Sequence, residues 1–123
     1  MESLLMEPDR LAQVFAVLAT DARVRITRLL KEGPLCVNAL ARRLQITPAA
    51  VSQHLRVLRS AGVVTAEKHG YYVHYQLNEE TLALWRKETC RLLDPAFGVG
   101  EIKERGKICA AIKKKNAVRS RKT

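Results

Sequence analysis

Cysteine and histidine are the residue types in this chain best suited to chemistry, and there are three of each: Cys36, Cys90 and Cys109, and His54, His69 and His74. Their spacing narrows what that chemistry is. There is no Cys-x-x-Cys pair, and the histidines do not form a ligand cluster by spacing, so no ready-made zinc loop is encoded. Cys36 falls at the expected start of a helix and Cys109 within a run of lysines and arginines, two settings that favour the thiolate. Cys90 lies at the edge of a helical apolar stripe. Two alternatives stay open for these thiols: a shared metal or redox function, or three unrelated packing and surface residues. Catalysis is not expected, because the chain has no glycine-rich phosphate loop, no carboxylate pair placed for a cleft and no visible Cys/His triad. An odd number of thiols also argues against a disulfide framework and predicts a reducing cytoplasm.

The elements that must position these residues follow from composition and pattern. Apolar residues make up 47% of the 123 positions and aromatics only 5%, so the core is built mainly of Leu, Val, Ile and Ala. Lys and Arg number 22 against 12 Asp and Glu, a net charge of +10 that points to a polyanion partner, most simply nucleic acid. The excess is uneven: residues 1–99 carry 13 basic and 10 acidic side chains, residues 100–123 carry 9 and 2. The expected division is therefore a domain over 1–95 and a basic C-terminal tail over 96–123, either solvated or lying on phosphate. Charge-free stretches such as Leu11–Thr20 reach about half of the roughly 20 residues a membrane helix needs. Met1-Glu2-Ser3 lacks the basic start and apolar run of a signal peptide. No membrane association is expected.

Leu11, Val14, Phe15 and Leu18 recur at i, i+3, i+4 and i+7 and mark an amphipathic helix. A second helix, capped by Thr20 or Asp21, carries Ala22, Ile26, Leu29 and Leu30 and is stopped by Gly33-Pro34. A short third helix carries Val37, Leu40, Ala41 and Leu44. Thr47-Pro48 pairs a capping residue with proline at the first helical position and opens a fourth helix, Pro48–Ala61, that buries Val51, Leu55 and Leu58. The roughly three residues between the third and fourth helices are the helix-turn-helix spacing. Val63–Lys68 and Tyr71–Leu77 read as strands around a His69-Gly70 turn, with Val73, Tyr75 and Leu77 on the buried face. Asn78 caps a last helix with the stripe Leu82, Trp85, Thr89 and Leu92. The expected fold is mainly α with a small β-hairpin (α+β), a winged helix-turn-helix with a basic extension.

The run Thr47-Pro-Ala-Ala-Val-Ser-Gln-His-Leu-Arg-Val-Leu-Arg-Ser-Ala-Gly-Val-Val64 closely resembles the recognition helix of the ArsR/SmtB repressors. Lys68-His-Gly-Tyr-Tyr-Val-His-Tyr-Gln-Leu77 resembles that family's wing, and Ala19-Thr-Asp-Ala-Arg-Val-Arg-Ile26 the start of its second helix. The resemblance spans about residues 8–93. It implies a homodimer joined through its first and last helices, which represses a promoter and releases it when an inducer binds. In the arsenic-type site of the family, Leu-Cys-Val-Cys-Asp-Leu opens the third helix; here the run is Leu35-Cys36-Val37-Asn38-Ala39-Leu40, with the first thiol kept and the second replaced by Asn38. The zinc-type site on the last helix needs a histidine, and none follows His74. No cofactor is required. The inducer expected from Cys36, Cys90 and Cys109 is arsenite, another soft metal ion or an oxidant, with Cys109 carried to Cys36 by the tail.

On a helical wheel, the side of Pro48–Ala61 away from Val51, Leu55 and Leu58 presents Ala49, Ser52, Gln53 and Arg56. Gln53 can pair bidentately with adenine in the major groove. Thr47 and Ser52 can reach a base edge or a phosphate, Ala49 a thymine methyl, and Arg56 and Arg59 phosphate. His54 lies nearer the core flank, where packing or capping competes with base contact. Lys68, His69 and Tyr71 form the wing tip expected on DNA. Arg42 and Arg43 either touch the backbone or form a solvated face. The expected function is a dimeric repressor on a palindromic operator in double-stranded DNA; the alternative is a non-specific basic protein that shapes DNA or binds RNA.

Overall fold

The computed structural model describes residues 6–95. Cys109 and the tail of 96–123 lie outside the described residues. The chain divides into two compact units after Trp85.

Among the described residues, five helices and three strands follow one another: α1 (Pro8–Leu18), α2 (Asp21–Leu30), β1 (Leu35–Cys36), α3 (Val37–Leu44), α4 (Pro48–Ser60), β2 (Val64–His69), β3 (Tyr72–Leu77) and α5 (Glu79–Leu93). Polar caps set several starts. The Thr20 hydroxyl accepts from the Arg23 amide at 3.3 Å. That of Thr47 accepts from the Ala50 amide at 3.1 Å. Asn78 Oδ1 accepts from the Glu80 and Thr81 amides. Each bond satisfies an amide that the helix leaves without an internal partner. Thr20, not Asp21, is thus the cap of α2.

Between α3 and α4, Gln45 takes the left-handed conformation at φ 58° and turns the chain toward Thr47. After α4, Gly62 does the same at φ 80°. A Cβ there would be strained by that backbone and would sit 3.4 Å from Thr81 Oγ1. This turn delivers Val63 and Val64 to the interior.

The three strands form one antiparallel sheet in the order β1-β3-β2. The hairpin differs from expectation by one position. His69 pairs with Tyr72, so the two turn residues are Gly70 and Tyr71. Only Gly70 has positive φ, which fits a two-residue turn with glycine at its first central position. The short strand β1 was not expected. Its two residues pair Leu35 with Tyr75 and Cys36 with His74.

The core is one cluster drawn from α1 through Trp85 of α5, with Ile26, Leu40, Val51, Leu55, Leu58, Val63 and Val64 fully buried. Three expected core positions are corrected. Phe15 and Leu92 are exposed, and Val73, toward the hairpin tip, is exposed while Tyr75 and Leu77 pack on the core. In α1, Val17 packs on the core instead of Phe15. In α5 the buried stripe includes Glu88, whose carboxylate meets Arg91 at 3.3 Å.

Candidate nucleic-acid interface

The α4 helix is divided lengthwise. Val51, Leu55 and Leu58 are buried, while Ala49, Ser52, Gln53, Arg56 and Arg59 are exposed. The apolar side is held by the core, so the polar side is presented in a fixed rotation. His54 is half-buried, in keeping with its place on the core flank. Thr47 is exposed, but its hydroxyl oxygen is committed to the cap. Val57 is also exposed, an apolar residue on this helix that the wheel analysis did not select.

Two concavities flank the helix. Ser52, Leu55, Arg56, Arg59 and Ser60 line the first, together with Tyr75 of β3. Two guanidinium groups and two hydroxyls there match the donors that phosphate oxygens require. The second lies at the N-terminal end of α4, bounded by Pro48, Asn38 and Arg42 of the helix-turn-helix, and by Cys36, Tyr72 and His74. Sequence reasoning missed Asn38, Tyr72 and His74 here, because β1 is only two residues long and its pairing with β3 leaves no period in the sequence.

The wing projects Lys68, His69 and Tyr71, all exposed, with Tyr71 wholly in solvent. His69 also has partners within the wing: Glu67 at 3.7 Å, and the ring of His74 edge-on at 5.1 Å between centroids. Arg43 pairs with Glu32 at 3.6 Å, whereas Arg42 lines the second concavity. Residues 33–78 carry Arg42, Arg43, Arg56, Arg59 and Lys68 against a single acidic residue, Glu67. The positive charge of the helix-turn-helix and wing is therefore intrinsic and does not depend on the tail.

The expected sensor thiols are placed separately. Cys36 is a half-buried free thiol at the N-cap of α3 and makes no side-chain cap bond. Cys90 is half-buried on α5, within the second unit. Among the described residues, no three His, Cys, Asp or Glu side chains converge to hold a metal ion. Asn38, which lines the second concavity, puts an amide where the arsenic-type pattern has its second thiol. An amide is a poor ligand for a soft metal ion. The described part of α5 contains no histidine, so the zinc-type set does not fit either.

The model of the family described as "Bacterial regulatory protein, arsR family" matches residues 20–66. The HTH-type transcriptional repressor SmtB of Mycobacterium tuberculosis is 39% identical over 75 residues, covering 61% of this chain and 56% of that protein. The chain thus spans little more than half the length of that relative. The arsenical resistance operon repressor of Escherichia coli is 40% identical over 86 residues, covering 69% of this chain and 70% of that protein. The solution structure of the homodimeric winged helix-turn-helix DNA-binding domain of Mb0332 from Mycobacterium bovis superposes with a TM-score of 0.58 at 29% identity, covering 66% of this chain and 76% of that one. The divided recognition helix, the hairpin wing and these matches agree: the chain belongs to the arsR family of bacterial regulatory proteins and carries its winged helix-turn-helix.

Proposed function

We propose that the chain is a cytoplasmic, homodimeric repressor that binds a two-fold symmetric operator in double-stranded DNA. The observation that carries this is the α4 face: a helix rigidly seated by three buried residues presents Gln53 between small and cationic neighbours. Gln53 reads a base edge, Ala49 sits near it, and Ser52, Arg56, Arg59 and Thr47 fix the helix on phosphates. Lys68, His69 and Tyr71 bring the wing to the neighbouring groove or backbone, and His54 supports α4 from the core side. A dimer sets two such helices about one helical turn apart. The basic residues of 96–123 add affinity without sequence preference to the domain of 1–95. The protein is not an enzyme and requires no cofactor. Release from DNA runs through its thiols, of which Cys36 lies beside the DNA-facing surface; arsenite, another soft metal ion or an oxidant is the inducer class, with Cys90 and Cys109 as the further thiols.

Fluorescence anisotropy of the reduced protein tests this, on duplex from upstream of its own gene and on a scrambled duplex, at two salt concentrations. Strong preference for the upstream duplex is expected. Equal binding to both, vanishing with salt, would replace the repressor by the non-specific basic protein that the tail alone would support.

A further inference from the structure

Antiparallel pairing sets Cys36 directly opposite His74. Residues so opposed project from the same face of the sheet, with Cβ atoms about 4.5–5.5 Å apart. Both side chains line the second concavity, with Asn38, Arg42, Pro48 and Tyr72 around them. The Cys36 side chain is not consumed by capping α3. The Nδ1 atom of His74 is buried and has no hydrogen-bond partner. A buried ring nitrogen without a partner is unfavourable inside a protein, and a ligand that reached it would remove that cost. The edge-on contact with His69 helps to hold the His74 ring in place.

We infer that Cys36 Sγ and His74 Nδ1 form a two-donor site for a soft monovalent cation of the Cu(I) class. Thiolate selects soft cations, and imidazole is an accepted second ligand for copper. No third His, Cys, Asp or Glu converges on the pair among the described residues. That count disfavours tetrahedral zinc, which needs four ligands, and suits a closed-shell cation satisfied by two. Sulfur and nitrogen bound to one such ion stand about 4 Å apart, within reach of directly opposed side chains. Binding exchanges the S–H bond for an S–Cu bond and releases the proton to solvent, with no change of oxidation state. The cavity adjoins Pro48, which opens the recognition helix, and Tyr72 of the wing. Cation and DNA therefore compete for or stabilise one arrangement of the same walls, and each changes the other's affinity. This inference deepens the inducible-thiol proposal and rests on it for the consequence at DNA, not for the binding itself.

The test titrates Cu(I) into the full, reduced chain under anaerobic conditions, against a chromophoric chelator of known affinity. One Cu(I) per chain is expected. Cys36→Ser and His74→Gln should each weaken it by about tenfold or more, while Cys90→Ser and Cys109→Ser leave it unchanged. Wild-type affinity in His74→Gln, or loss of the ion in either of the latter variants, overturns the site. Imidazole nitrogen NMR on the unmutated chain guards against a variant that fails to fold: one equivalent of Cu(I) should shift Nδ1 of His74 and not the ring nitrogens of His54. No shift at His74 overturns the site. Operator binding by the same samples separates the two proposals. Cu(I) bound at this pair without any operator preference refutes the repressor and leaves the site, whereas operator preference without Cu(I) binding refutes the site alone.

Discussion

The helix-turn-helix with its wing and the first and last described helices, α1 and α5, solve opposite problems with similar amphipathic patterns. In α3 and α4 the apolar stripe is closed: Leu40, Leu44, Val51, Leu55 and Leu58 are buried and the outward residues are largely polar or small. In α1 and α5 several large apolar residues stay outside the core among the described residues. Phe15 is 41% exposed and Leu84 46%, and Leu92 and Leu93 are more exposed still. Large apolar groups left in water on two helices call for a partner surface, whereas Gln53, Arg56 and Arg59 call for a polar, anionic one. We propose that apolar residues of the first kind meet a second copy of the chain and that the polar face of α4 meets DNA.

Four changes would break or sharpen that contrast. Leu55→Ala, in the closed region, should destabilise the fold by about 2–5 kcal/mol, seen as a lowered midpoint in urea. Phe15→Arg with Leu84→Arg, in the open region, should leave circular dichroism intact while sedimentation shows a monomer. Operator affinity would then fall by about tenfold or more, because two half-sites are no longer linked. Retention of the dimer would mean that the exposed apolar groups serve something else. Thr47→Ala removes one cap bond of the recognition helix and should cost about 1 kcal/mol of stability, read by thermal unfolding. Lys68→Ala should weaken every duplex alike and reduce the slope of log affinity on log salt by about 0.9.

Much of this was legible in the sequence because it is written in local terms. Thr47-Pro48 announces a helix start by capping chemistry, and the spacing of Val51, Leu55 and Leu58 fixes which side of α4 faces inward. Gly70 marks the hairpin, although the turn proved to be Gly70-Tyr71, since pairing of His69 with Tyr72 is decided by strand register. Non-local facts were not legible. Leu35-Cys36 is too short to show a strand period, so its pairing with Tyr75 and His74 emerged only from the folded chain. Phe15 and Leu92 fit a helical stripe perfectly well, yet periodicity names a face without saying whether the same chain covers it. Glu88 is buried against the rule for carboxylates, and its contact with Arg91 one turn away is what makes that tolerable.

The central claim is that the polar side of α4 reads bases while its flanks hold phosphates. It is tested most directly by comparing Gln53→Ala with the unmutated chain on a set of duplexes, each altered at one base pair of the operator. The variant should lose about 1–3 kcal/mol of binding and become indifferent to the base at one position in each half-site, with the salt slope unchanged. Unaltered operator affinity and unaltered base preference at every position would contradict it.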